Sequence, residues 1–477
     1  MPLRILTPWV DGGWLPRRRR RAEPVTAPFN GRTLAYLVAG DDADLDRAVD
    51  GARKAAETLA ALPRHRRAEI LETASFLLRE ERAALGRLIA RDAGKPLALA
   101  LAEVDRAVLV FHQASEEARR FGVSAIPADA DPRGAGMTAR VERFPIGVIA
   151  AIAPFNFPLN LVAHKVAPAI AAGNAVVLKP PPQAPLAAFR LAELLSRAGL
   201  PPGGLQVLHL PIPVAERLAR DDAFAMLSFT GSAGVGWHLK SVAGRKRILL
   251  ELGGNAAVLV HSDATDLDAL AARLAWGAFA YAGQICIKVQ RLYIHRPLYR
   301  RLVRKVVDAT RRLRRGDPAQ EDTVIGPMID DANLARVGAW VNEAVAGGAV
   351  PLLAGRRRGA VLGPTILAGT RPDMKVWREE VFGPVLTVAP YRTWAEGIRL
   401  VNASRYGLQA GIFTRDAQRI EQAFRGLAVG GVVVNDIPTL RLDHLPYGGV
   451  KASGFGREGV AEAMLAMTEP RLLLMRQ

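Results

Sequence analysis

The sequence predicts an α/β protein with two parallel-sheet domains. Three observations carry that reading. From residue 146 to residue 253, short and wholly apolar runs alternate with amphipathic ones. A second alternating series follows from 256 to about 435. Ahead of both lies a helical block, 44–121, separated from them by a polar stretch rich in Pro and Gly, 122–145. Continuous apolar strands spaced by helices mark a parallel sheet covered on both faces.

Each element has its own signal. In 44–56 apolar residues fall three and four apart, as on one face of a helix, and 67–86 and 88–92 repeat the pattern. Ala93-Gly94-Lys95-Pro96 breaks it, since Gly and Pro stop helices, and another helix is expected over 97–121. The first series reads as strand 146–153, helix 158–172 ended by Gly173-Asn174, strand 175–178, helix 184–198, strand 205–208, helix 214–220, strand 225–229, a helix opened by Gly231, and strand 248–252. The second opens with a strand from Ala256 and a helix over 266–282. Asp266 and Asp268 sit in its first turn, where the helix dipole favours negative charge. Leu267, Leu270 and Leu274 form its buried stripe, and Gly283 is its stop.

A chain of 477 residues is too long for one ordinary domain. With 50% hydrophobic and 23% charged residues it has the balance of a soluble globular protein. One cysteine cannot form an internal disulfide, which fits a reducing, cytoplasmic setting. No secretory pattern opens the sequence, and its apolar runs are too short to span a bilayer. The net charge of +18 comes from basic residues scattered among acidic ones, so neither a nucleic-acid nor a membrane partner is expected. The run Arg17–Arg21 reads as a solvated loop.

The single cysteine is Cys286, in Tyr-Ala-Gly-Gln-Ile-Cys-Ile-Lys at 281–288. Taken alone it fits either a small buried hydrophobe or a nucleophile. A thiolate attacking a carbonyl needs a donor for the oxyanion, and a base if a thioester is to be hydrolysed. Asn156, in Pro-Phe-Asn-Phe-Pro at 154–158, stands where a parallel strand ends and such folds bind ligands. Its amide can donate, or simply form the turn. Glu251 ends an otherwise apolar strand, a costly place for a carboxylate unless it is used or paired.

With Lys179-Pro180, Phe229-Thr-Gly-Ser-Ala-Gly-Val-Gly236, Leu250-Glu-Leu-Gly-Gly254, Gly283-Gln-Ile-Cys286, Glu379-Glu-Val-Phe-Gly-Pro-Val385 and the run 446–458, these motifs resemble the aldehyde dehydrogenase superfamily from about 8 to 475. The wording of the C-terminal half is similar to its lactaldehyde-like branch. The resemblance implies an aldehyde dehydrogenase-like α/β fold: two doubly wound parallel-sheet domains plus a small bridging and oligomerisation arm. The nucleotide-binding domain would comprise 1–121 and 146–253, the catalytic domain 254–440, and the arms 122–145 and 457–477. It also implies roles. Cys286 would attack the aldehyde, Asn156 and the Cys286 N–H would hold the oxyanion, and Glu251 would activate water. Lys179, Gly231, Ser232, Glu380, Phe382 and Phe155 would bind the cofactor. No metal is implied.

Pro182 stands where many NAD-preferring relatives carry glutamate, so the cofactor is read as NAD or NADP. Gly234 replaces a frequent glutamate in the phosphate loop, which leaves that loop roomier. Asn160, His164, Ile285, Ile287 and the loop 437–444 are expected to line the aldehyde tunnel. Two residues carry two readings each. Arg441 is a substrate anchor, since arginine pairs bidentately with carboxylate or phosphate, or a bridge to Asp443 or a neighbouring subunit. Lys288 binds an anionic substrate or lowers the Cys286 pKa, or it turns to solvent or backbone. The expected activity is NAD(P)-dependent oxidation of a small polar or anionic aldehyde to the acid. The alternatives are a CoA-acylating dehydrogenase and a non-catalytic basic binding protein on the same scaffold. The tail, with Leu472-Leu473-Leu474, would add a strand to a partner's sheet in a homodimer or homotetramer.

Overall fold

A computed structural model describes residues 3–17 and 20–476. Of the run Arg17–Arg21, Arg18 and Arg19 lie outside the described residues. Among the described residues two large sheets dominate, with two three-stranded and two two-stranded ones beside them.

The first sheet has eight strands. Its parallel centre runs, in spatial order, Arg247–Glu251, Met226–Thr230, Val148–Ile152, Ala175–Lys179, Leu205–Val207. The chain enters at Val148–Ile152, winds outward through two strands on one side, then returns to fill the other. The order therefore reverses between Val148–Ile152 and Met226–Thr230. Such a switch point opens a crevice at the carboxyl ends of the strands. These strands are buried almost throughout, which is why the sequence shows them as unbroken apolar runs. The predicted helices appear as Asn160–Ala172, Leu186–Arg197, Ile212–Arg220 and Ala233–Val242. Gly173, at φ 91°, supplies the left-handed C-cap of the first of them.

The second sheet has seven strands in the order Val350–Leu353, Thr365–Ala368, Val385–Tyr391, Arg291–His295, Ala257–Val260, Gln409–Phe413, Gly431–Val434, antiparallel only at the first edge. The chain then returns to the first body. Gly454–Phe455 pairs with Arg247–Glu251, and the helix Val460–Ala466 buries Val460, Ala463 and Met464 in the first core. The strand Thr468–Arg476 follows that helix.

Thr468–Arg476 pairs antiparallel with Met137–Pro145 of its own chain over nine residues, and Val123–Ile126 completes this third sheet. The tail read as a strand for a partner's sheet pairs along one edge with 137–145 and is the outer strand of this sheet. Leu472, Leu474 and Met475 remain exposed on it.

The segment before Cys286 departs from expectation. The helix predicted over 266–282 is Leu267–Phe279, with Asp266 as its N-cap rather than in its first turn. Tyr281 and Ala282 then adopt left-handed backbone, φ 54° and 53°. Each such residue costs about 1–2 kcal/mol. Tertiary contacts offset it: Tyr281 is fully buried, its N–H donates to the Val324 carbonyl at 2.9 Å, and its hydroxyl donates to the Ala93 carbonyl at 2.9 Å. The chain reverses sharply, and Cys286 faces the crevice of the first sheet instead of continuing a helix.

Candidate active site

Two cavities meet at Cys286. One, of about 390 Å³, is walled by Phe155, Asn156, Gly231, Ser232, Glu251, Glu380 and Phe382. The other, of about 210 Å³, is walled by Phe157, Asn160, Ile285 and Ile287, with Lys95, Arg106 and Arg273. Cys286, Leu161, Arg441 and Tyr447 line both. The half-buried thiol therefore forms part of the partition between them.

Its sulfur lies 3.4 Å from the Tyr447 hydroxyl. Burial pushes the thiol up to about 11; the Tyr447 hydrogen bond and the Arg441 charge pull the other way, while Glu380 and Glu251 add to the rise. Ile285 and Ile287 flank it, packed into the core of the first domain, so the turn is docked on the sheet opposite its own.

Asn156 follows the strand Val148–Ile152 and is buried. Its amide donates one hydrogen to the Gln284 carbonyl at 3.0 Å, two residues before the thiol. A buried ion pair holds the loop around it. Lys95 donates to Glu103 at 2.6 Å and to the Asn156 carbonyl at 2.9 Å, and the other Glu103 oxygen accepts from the Leu159 and Asn160 N–H groups at 2.9 and 3.1 Å. Removing one partner of such a pair costs about 3–5 kcal/mol, because the other is left buried and uncompensated.

Glu251 ends its strand with both carboxylate oxygens buried and unpartnered among the described residues. Burial, and then the charge of Glu458, raise its pKa well above the carboxylate range. Glu458 shows the opposite outcome. It is equally buried but accepts from Lys165 at 3.2 Å and from Arg441 at 3.1 Å, and these cations hold its pKa low against burial. An orphaned carboxyl on a cavity wall is set up to exchange a proton with something that enters.

On the same wall, Ser232 precedes the helix Ala233–Val242 and makes no capping bond with its side chain, so the helix start opens on the cavity. A helix N-terminus of this kind favours a phosphate. Gly231 packs so closely that a Cβ would lie 2.5 Å from the Phe229 ring. Glu380 accepts from the Gly254 N–H at 3.0 Å, and the Phe155 and Phe382 rings meet edge-on at 5.9 Å. A helix start for phosphate, a carboxylate for hydroxyls and apolar rings for an aromatic face fit a dinucleotide. Lys179 ends its strand half-buried and outside both cavities.

On the second cavity, Arg441 is buried and shared. Besides Glu458 it approaches Asp443 at 3.6 Å and lies 3.8 Å from the Tyr447 ring centre, while its Nε lacks a hydrogen-bond partner. Asp443 also takes a forked pair of bonds from Arg106, at 2.6 and 2.8 Å, and contacts His164 at 2.8 Å and Asn160 at 3.4 Å. Asn160 and Ile287 line this cavity, and His164 is not among its wall residues. Lys288, expected among the substrate residues, reaches neither cavity. Its ammonium donates to the Val385 carbonyl at 2.5 Å, because the turn closed by its N–H on the Ile285 carbonyl carries the side chain away from the sulfur. Tyr447, Lys95, Arg106 and Arg273 are wall residues that sequence reasoning passed over. Tyr447 lay inside a quoted motif, and Lys95 inside a Gly-Lys-Pro helix stop.

Fold and site together give an α/β protein with a crevice that fits a dinucleotide and a thiol on its wall. The chain belongs to the aldehyde dehydrogenase family, whose sequence profile, Aldehyde dehydrogenase family, matches residues 14–473. It is similar to 3-sulfolactaldehyde dehydrogenase of Priestia aryabhattai, at 41% identity over 468 residues, 98% of this chain and 97% of that protein. The crystal structure of aldehyde dehydrogenase 21 from Physcomitrella patens, in complex with the reaction product succinate, superposes with a TM-score of 0.97 at 38% identity, covering 100% of this chain and 99% of that one. That of NADP-dependent glyceraldehyde-3-phosphate dehydrogenase from Bacillus halodurans C-125, complexed with NADP, gives 0.95 at 34% identity, covering 99% of each. The protein is an NAD- or NADP-dependent aldehyde dehydrogenase of the lactaldehyde-like branch. Among the described residues no helix is long and apolar enough to cross a membrane.

Proposed function

We propose that the enzyme oxidises a small polar or anionic aldehyde, of the lactaldehyde, glyceraldehyde or semialdehyde type, to its carboxylic acid through a covalent thioester on Cys286. The observation that carries this reading is the thiol set between two cavities, with Glu251 on one wall and cationic side chains on the other. The aldehyde enters the smaller cavity. The Cys286 thiol loses its proton to water in the cavity, its sulfur bonds as thiolate to the carbonyl carbon, and the oxygen takes the negative charge, stabilised by the free hydrogen of the Asn156 amide and the Cys286 N–H. Gly231, Ser232, Glu380, Phe382, Phe155 and Lys179 would hold NAD or NADP, which when bound would take the hydride from that carbon and so leave the thioester on the sulfur. Glu251 then takes a proton from water, the water oxygen bonds to the thioester carbon, the C–S bond breaks, and the acid leaves.

An anionic substrate follows from the small cavity's charge. Its walls carry Lys95, Arg106, Arg273 and Arg441, with Glu103 as the carboxylate among them. Arg441, Arg273 and Arg106 are paired with Glu458, Asp436 and Asp443, yet each guanidinium keeps donors to spare. The similar enzymes named for sulfolactaldehyde and glyceraldehyde 3-phosphate, and the one holding succinate, support the same class. The exposed apolar face of Leu472, Leu474 and Met475 supports a homodimer or homotetramer, and the lone cysteine a cytoplasmic setting.

The test is a panel of short aldehydes, neutral and anionic, followed by nicotinamide reduction with NAD and NADP in turn. Higher kcat/KM for sulfonate-, phosphate- or carboxylate-bearing aldehydes is expected. Preference for long aliphatic or aromatic aldehydes would overturn the substrate class.

A further inference from the structure

Lys288 is 3% exposed, and lysine is almost never buried so deeply without a carboxylate bonded to it. Its ammonium is bonded to a carbonyl instead, that of Val385, at 2.5 Å. The segment that contains this carbonyl also contains Glu380. Two residues on, Gln290 grips the same segment from the other side, donating to the Glu379 carbonyl at 2.6 Å and accepting from the Val381 N–H at 2.9 Å. Glu380 is thus bracketed by the bonds of Gln290 to its two neighbours, from the segment between the nucleophile turn and the strand Arg291–His295. The fit is tight: a Cβ on Gly283 would lie 2.4 Å from the Gly383 oxygen and 3.0 Å from Lys288 Cδ.

We propose that Lys288 is a positioning residue whose charge acts on Glu380, so that a lysine outside both cavities governs how tightly the cofactor binds. This rests on the reading of Glu380 as the carboxylate that holds the nicotinamide ribose. A carboxylate must be ionised to accept two hydroxyl hydrogen bonds at full strength. Glu380 is buried, and burial pushes it up to about 7; the Gly254 N–H, Arg336 and Lys288 pull it back. Lys288 is pushed down to about 7 by burial and pulled up by Glu380. Arg336, from the helix Asp331–Ala346, is the other cation facing Glu380, and the Cys286 thiol and Tyr406 phenol both feel its negative charge. Removing the lysine leaves the Gly254 N–H and Arg336 to favour the carboxylate.

The experiment is a fluorescence titration of reduced cofactor, NADH and NADPH separately, from pH 5.5 to pH 9. It compares the wild type, Lys288→Met, Lys288→Arg and Glu380→Gln. Wild-type affinity should rise with pH as Glu380 ionises. In Lys288→Met the midpoint should move upward, the direction expected on losing an opposite charge. Lys288→Arg should restore it, and Glu380→Gln should flatten the profile. A wild-type midpoint retained in Lys288→Met, with a flat Glu380→Gln profile, overturns the role of Lys288 and leaves the cofactor reading standing. A Glu380→Gln profile that still rises overturns the reading of Glu380 itself. Should Lys288→Met fail to fold, Lys288→Gln keeps a donor for the Val385 carbonyl without the charge and decides the same question.

Discussion

The two cavities at Cys286 differ in how they are built. One side of the larger one lies at the switch point of a single sheet, where loops leave neighbouring strands: Phe155 and Asn156, then Gly231 and Ser232, then Glu251; Arg336, Glu380 and Phe382 close it from elsewhere in the chain. The smaller one is assembled from segments far apart in the chain, 95–106, 157–161, 273–287 and 439–447. A cavity made at strand ends inherits its geometry from the sheet, so short motifs suffice to specify it. A cavity made by convergence depends on how whole domains pack, and single substitutions on its walls can redirect it. The larger cavity should therefore carry chemistry that tolerates no change, and the smaller one selectivity that can be tuned.

Changes at the shared partition test that division most severely. Cys286→Ser should lower kcat by at least about a thousandfold, because the weaker nucleophile has no base within bonding distance. Comparable activity in steady-state assays would remove the thiol from the reaction. Glu251→Gln should slow turnover by about 10²–10⁴-fold while leaving a burst of nicotinamide reduction equal to the enzyme concentration. With burial holding the Glu251 carboxyl protonated beyond the usual range, the wild-type hydrolysis step should accelerate as pH rises through and past neutrality. Stopped-flow absorbance measures both.

Asn156→Ala should reduce kcat by about 10²–10³-fold with a smaller change in KM, the signature of a donor that acts on the oxyanion. A change confined to KM would make Asn156 a loop-former only. The smallest effect belongs to the convergent cavity. Arg273→Ala or Arg106→Ala should raise KM for anionic aldehydes by about tenfold, some 1.4 kcal/mol, and leave neutral aldehydes nearly unaffected. Equal losses for both classes would show that the arginines hold the fold instead of the substrate.

The same division explains what was legible in the sequence. Strands such as Val148–Ile152 and Met226–Thr230 announced themselves because burial on both faces requires unbroken apolar runs. Asn156, Glu251 and Cys286 stood out as residue types that are costly or rare where they occur. Tyr281 and Ala282 did not, since left-handed backbone at those residues is imposed by contacts with Val324 and Ala93, far away in the chain. Nor did the Lys95–Glu103 pair, whose members look like an ordinary helix stop and an ordinary helix-surface glutamate until Asn156 packs over them. The direction of Lys288 was hidden for the same reason: whether it meets substrate or backbone depends on where the 380–385 segment lies.

The central claim is that an acyl group passes through the Cys286 sulfur. The most direct measurement is intact-protein mass spectrometry of Glu251→Gln, quenched with acid after mixing with NAD or NADP and a short anionic aldehyde, followed by peptide mapping. One acyl group per chain, attached to the 281–288 peptide, is predicted. An unmodified protein that has nonetheless reduced a full equivalent of nicotinamide and released free acid, or an adduct on any other residue, would contradict it.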